Sequence, residues 1–158
     1  MLLASPISRG RVLVHKALAM VVFAVVLAVG TFAGLAIGVL IAGFDLPIVG
    51  VAAASVLGSL LGLVFGGVAL LIGAATGRVK LAVYGAAGLG VVAYFVDSFF
   101  PLAESFEPFA VLSPFHYFLS SDPLVNGMDW GHAGVLVGIF VVLVAAAVPL
   151  FDRRDLRG

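Results

Sequence analysis

Residues 17–43 read ALAMVVFAVVLAVGTFAGLAIGVLIAG, 27 positions without one charged side chain. As an α-helix rising about 1.5 Å per residue, this stretch exceeds a hydrocarbon core of about 30 Å. It predicts a tilted or projecting membrane span. The rest of the chain repeats the pattern, with further apolar spans expected at 48–76, 81–100 and 132–151. The 158 residues are 63% hydrophobic and 10% charged, with a mean hydropathy of +1.29. A soluble domain is about half apolar and about a quarter charged, so this is an integral membrane protein. The apolar run after Lys16 is far longer than a signal-peptide core of about 7–15 residues, which argues against a cleaved leader. Cysteine is absent, excluding disulfides, thiolate metal sites and cysteine nucleophiles.

The net charge of zero conceals a strong asymmetry. Arg9, Arg11 and Lys16 precede the first span, Arg78 and Lys80 separate the second from the third, and Arg153, Arg154 and Arg157 follow the fourth. The alternate connections hold no Lys or Arg and carry Asp45, Asp97, Glu104, Glu107, Asp122 and Asp129. Cytoplasmic loops attract Lys and Arg, so the expected fold is an all-α polytopic transmembrane bundle of four spans with both termini cytoplasmic. A cell-membrane location goes with it.

The connections differ in character. Phe44-Asp45-Leu46-Pro47 is a tight outer turn in which Asp45 can cap and Pro47 can open the next helix. Gly77 is placed to end the second span before the short hairpin Arg78-Val79-Lys80. Tyr94, Phe95, Phe99 and Phe100 form an aromatic belt at the outer end of the third span. Residues 101–130 lie outside in this topology, yet they are rich in Phe, Leu and Val. Pro101, Pro108, Pro114 and Pro123 break them into pieces too short to cross. Short amphipathic helices in the outer interface fit that pattern, and a loop packed over the bundle is the alternative.

Small residues recur every four positions: Gly30, Gly34 and Gly38, then Gly58, Gly62 and Gly66 with Ser55 and Ser59, then Gly134 and Gly138. Such spacing flattens a helix face so that backbones approach closely, which predicts a packed bundle or an oligomer.

The chemistry of an enzyme or an ion-coupled carrier is missing. No ionisable residue falls at mid-bilayer depth, where coupled carriers bind their ion. Asp97 lies within a turn of the outer boundary and reads as an interface carboxylate. His15, His116 and His132 map to the interfaces and not together, so no metal constellation is expected. Ser5 and Ser8 lack His and acid partners in sequence reach. The P-loop pattern is absent, so this chain does not itself bind ATP that way. No catalytic residue, cofactor or nucleic-acid partner is expected; uphill movement of a cargo would draw its energy from another polypeptide.

Three motifs carry a resemblance. Leu2-Leu3-Ala4-Ser5-Pro6-Ile7-Ser8-Arg9-Gly10-Arg11-Val12-Leu13-Val14-His15-Lys16 resembles the cytoplasmic segment of ATP-binding-cassette (ABC) transporter permeases of the type-2 exporter class, where it precedes the third of six spans. Ser113-Pro114-Phe115-His116-Tyr117 with Asp122-Pro123-Leu124 and Asn126-Gly127 is similar to the family's outer segment before its last span. Phe151-Asp152-Arg153-Arg154-Asp155-Leu156 is similar to its ending. The three occur in family order, on the sides that the charge rule assigns.

The resemblance implies a permease subunit energised by a separate cytoplasmic ABC ATPase, working with a second permease copy or homologue in the bilayer. It implies that residues 1–16 hold a coupling segment, with Ser5, Pro6, Ile7, Ser8, Arg9 and Arg11 meeting the ATPase. Pro6 can start a turn, Ser5 or Ser8 can cap a helix, and Arg9 and Arg11 can reach acceptors on a partner. Anchoring of the same basic residues to anionic headgroups is the alternative reading. Residues 17–151 then form the transmembrane domain and 152–158 a cytoplasmic tail. Pro114, Phe115, His116, Tyr117, Asp122 and Pro123 mark the outer interfacial segment. The family usually has six spans and this chain offers four, so it reads as beginning after the second: a fragment, one piece of a split permease, or a misplaced start. A non-transporting scaffold or assembly subunit is the competing function, and a membrane enzyme using the outer acidic residues a weaker third.

Overall fold

The computed structural model describes residues 9–100 and 107–154, with side chains from 11 to 100 and from 109 to 151. Four long helices dominate: α1 (Arg9–Ala42), α2 (Ile48–Thr76), α3 (Val79–Phe99) and, after two short ones, α6 (Trp130–Arg154). Each is long and apolar enough to cross a bilayer. Helix is the form such sequences take in lipid, since every backbone N–H and C=O must be satisfied without water. Between α3 and α6 lie a 3-10 helix (Glu107–Leu112), α4 (His116–Leu119) and α5 (Pro123–Asn126). Among the described residues there is no strand.

The long helices alternate in direction, giving the bundle a basic end (Arg9, Thr76, Val79, Arg154) and an acidic end (Ala42, Ile48, Phe99, Trp130). Helix α2 runs unbroken over 29 residues. The first helix starts eight residues before Ala17, so Arg9 to Lys16 form two turns continuous with the span. At the first turn between helices, Gly43 takes the left-handed conformation (φ 68°). Pro47 stands before α2 as its extended cap residue, and its carbonyl accepts the Gly50 and Val51 amides at 2.9 and 3.2 Å. No side chain caps this helix, so the capping role expected of Asp45 is corrected. Gly77 does end α2, at φ 69°, donating its N–H to the Gly73 carbonyl at 2.8 Å.

Helix α2 is the hub. It packs against α1, α3, α5 and α6, and half of its most apolar window is buried, against none of the window in α1. Leu57, Leu61 and Val64 meet Ala133 and Leu136 of α6 near the acidic end. Leu63 meets Ala17, Ala24 and Phe140 at mid-height, and Ala74 meets Leu13 and Ala147 at the basic end. Small side chains let these neighbours close in: a Cβ at Gly67 would lie 3.1 Å from Phe140 and 3.2 Å from Leu143. In lipid this closeness stabilises through dispersion, because apolar side chains lose nothing by facing acyl chains.

Not every glycine stripe is packed. A Cβ at Gly30, Gly34, Gly38, Gly62, Gly134 or Gly138 would meet nothing within 4 Å. Close backbone approach therefore fails within the chain for the stripe of α1. That helix buries Leu13, Ala17 and Ala24 against α2 and α6 in its basic-end half, and beyond Ala24 it has only partly buried or exposed side chains.

Candidate functional site

Three features gather the residues that the sequence singled out: the basic foot of α1, the cleft beside it, and the short helices at the acidic end. Ser5, Pro6, Ile7 and Ser8 lie outside the described residues. The backbone of Arg9 opens α1, and Arg11 follows with an exposed side chain. His15 donates its Nδ1 proton to the Arg11 carbonyl at 2.5 Å. Val12 and Val14 are exposed beside them, while Leu13, only 2% exposed, wedges toward Ala74 and Ala147.

Between α1 and α2 the structure opens a cleft of about 1150 Å³. Thr31, Gly34 and Gly38 line one wall, and Ser55, Gly58, Ser59 and Gly62 the other. Ser55 donates to the Val51 carbonyl and Ser59 to the Ser55 carbonyl, both at 2.8 Å. These hydroxyls are turned back on their own helix, leaving the wall mostly hydrocarbon. The glycines thus shape a space, where the sequence suggested a helix contact.

At the acidic end the segment around Pro114 and Phe115 is held as a plug. Ser113 donates its hydroxyl to the Ala93 carbonyl of α3 at 2.8 Å, and its oxygen accepts the Phe115 amide at 3.2 Å. Phe115 sets its ring 5.5 Å from both Phe65 of α2 and Tyr94 of α3. Tyr117 donates to the Val111 carbonyl at 2.9 Å. Asp122 adopts a left-handed conformation (φ 40°, ψ 64°), uncommon for a residue other than glycine. Its carbonyl accepts the Val125 and Asn126 amides, and the buried Pro123 opens α5. The Leu124 backbone presses on Gly50 of α2, where a Cβ would lie 2.8 Å from the Leu124 carbonyl carbon. The segment consists of short helices packed over the bundle, with Phe109, Leu112 and Val125 left exposed.

The expectation that the histidines lie apart is overturned for two of them. His116 and His132 have ring centroids 6.4 Å apart, with Tyr117 edge-on to both at 5.6 and 5.4 Å. His116 Nδ1 lies 3.6 Å from Asp97 of α3, and His132 Nδ1 lies 3.7 Å from Asp129. Both distances are ion-pair contacts too long for a hydrogen bond, and His132 Nδ1 is buried without a partner. Asp129 instead accepts the His132 amide at 3.0 Å, capping α6 and holding its carboxyl below the ordinary range. Sequence distance hid the grouping: Asp97, His116 and His132 sit on three elements that only the bundle assembles. Their shared assignment to one membrane face was the available signal. Among the described residues no group of three or more His, Asp or Glu is placed to hold a metal ion.

Comparison with known proteins gives no match among curated proteins or solved structures. A family model, described as ABC-2 family transporter protein, matches residues 1–156. Essentially the whole chain is covered, including the basic foot, the four long helices and the acidic-end plug. On this evidence the four-helix membrane chain belongs to the ABC-2 transporter family.

Proposed function

We propose that the chain is a membrane-spanning permease subunit of an ATP-driven exporter in the cell membrane. A separate cytoplasmic ABC ATPase energises it, and at least one further permease copy or homologue completes the transport unit. Family membership carries this reading. In it the basic end faces the cytoplasm, and the excess of Lys and Arg at that end supports this orientation. Ser5, Pro6, Ile7, Ser8, Arg9 and Arg11 couple to the ATPase, and the segment around Pro114 to Pro123 seals the outer end.

The geometry of α1 supports the coupling role. Arg9 and Arg11 stand in the first turn of a helix of 34 residues without a break. Leu13, Ala17 and Ala24 fasten the near half to α2 and α6, and the far half borders an open cleft. A push on the first turn is therefore delivered to a stiff lever pivoting near Ala17. Packed elements of this kind move as bodies, by rocking or sliding.

The test is co-purification of the tagged chain with its candidate ATPase, before and after Arg9→Glu plus Arg11→Glu. Loss of association or of stimulated ATP turnover is expected. Unchanged association and turnover would remove the coupling role from this segment. A non-transporting scaffold would show neither cargo movement nor any effect on turnover in reconstituted vesicles containing both subunits.

A further inference from the structure

One ridge of α1 changes chemistry along its length. Arg11, His15 and Ala19 follow one another at four-residue spacing, and the same row continues through Phe23, Leu27 and Thr31. Successive positions at this spacing are neighbours on an inclined ridge that winds partly around the helix. Arg11, His15, Lys16 and Ala19 border a shallow depression of about 530 Å³ at the basic end. Ala19 also lines the apolar cleft between α1 and α2, so the two spaces meet at that residue. Among the described residues no carboxylate pairs with Arg11 or Lys16. A cationic foot with no counter-ion among the described residues thus leads directly into a hydrocarbon-walled slot.

We propose that this face of α1 binds an anionic phospholipid. Its phosphate rests on Lys16, His15 and Arg11, and its acyl chains lie in the cleft against Phe23 and the small residues of α2. Charge complementarity selects an anionic headgroup over a zwitterionic one, because two cations near a bilayer surface attract anionic lipid. The slot selects a lipid over free phosphate, because its walls offer acyl chains close apolar contact and offer a soluble ion nothing. Its form also favours a lipid over a helix from a second copy. The acidic end of the cleft is lined by Phe44, Leu46, Phe118 and Leu124. An acyl chain ends within the bilayer, whereas a spanning helix would have to run out past those side chains. The site makes no use of the ATPase reading: His15 and Lys16 lie outside the proposed coupling residues, and Arg11, common to both, stays unaltered in the test.

The experiment is native mass spectrometry of the full chain released from nanodiscs of phosphatidylglycerol and phosphatidylcholine in equal parts. Preferential retention of phosphatidylglycerol is expected. Lys16→Gln should lower that retention about fivefold, the effect of one cation near the surface, and leave phosphatidylcholine unchanged. Lys16→Arg should keep it, and Gly62→Leu, which fills the slot, should reduce both lipids. Added glycerol phosphate should not compete. Equal retention of the two lipids by the unaltered chain would overturn the proposal. So would an unaffected Lys16→Gln protein, competition by glycerol phosphate, or a lipid-free dimer whose formation Gly62→Leu abolishes. Because position 16 is exposed and both variants are polar, loss of fold does not imitate a pattern in which Lys16→Arg keeps the lipid and Lys16→Gln loses it.

Discussion

The His116 imidazole of α4 lies 3.6 Å from the Asp97 carboxylate of α3, whose side chain is only 9% exposed. This pair joins two elements that no long helix contact brings together, because α3 packs on α2 and the 3-10 helix and the plug spans the remaining distance to α6. Removing His116 leaves a nearly buried carboxylate without its partner. His116→Ala is expected to cost about 1–3 kcal/mol in SDS-titration unfolding. Asp97→Asn in that background should recover most of the loss. Equal losses in the single and double variants would show that the two groups do not interact.

Asp129 supplies a pH dependence whose sign is fixed. Its carboxyl is held below the ordinary range, first by the His132 amide that donates to it. A depressed carboxylate stabilises the fold above its unfolded pKa of about 3.9, and that stability is lost as pH falls through the folded value. Melting of the unaltered chain should therefore shift downward below about pH 4. Asp129→Asn keeps a good capping side chain without the titration, so part of this slope should vanish. An identical slope in the variant would reject the assignment.

Two glycines of α2 should respond unequally to the same added methyl. At Gly50 the new Cβ would strike the Leu124 backbone, which belongs to α5 and cannot rotate away. Gly50→Ala is expected to destabilise by about 1–3 kcal/mol and to expose the amides of α5 to hydrogen exchange. At Gly66 the obstacle is the Met20 Cε, 2.6 Å away at the end of a flexible side chain. Gly66→Ala should change stability by less than about 1 kcal/mol, since methionine repacks readily.

Leu57 and Leu136, both fully buried, form the centre of the α2 and α6 contact. Leu136→Ala should cost about 2–3 kcal/mol, the lower part of the range for such truncations. Lipid is as apolar as leucine, so the lost stability is mainly dispersion across the cavity that remains. Leu40, 80% exposed on the free half of α1, is the control, and Leu40→Ala should be near neutral in the same SDS titration.

The sequence by itself determined the four spans and their polarity, because both follow from local quantities: 27 uncharged residues at 17–43, and basic clusters at alternate connections. The end of α2 at Gly77 was equally legible, since only the backbone of that residue has to turn. Motif order also reached the family without coordinates. The tertiary structure decided what no local pattern specifies. Four-residue glycine spacing reads the same whether the face meets another helix or a cleft, and only the open space in front of Gly34, Gly38 and Gly62 separates the cases. The row of Asp97, His116, His132 and Asp129 likewise needs three elements folded together, for side chains on different helices become neighbours only through packing. Asp45 shows the converse limit: its residue type suits a cap, but the turn at Gly43 and the carbonyl of Pro47 already start α2 without it.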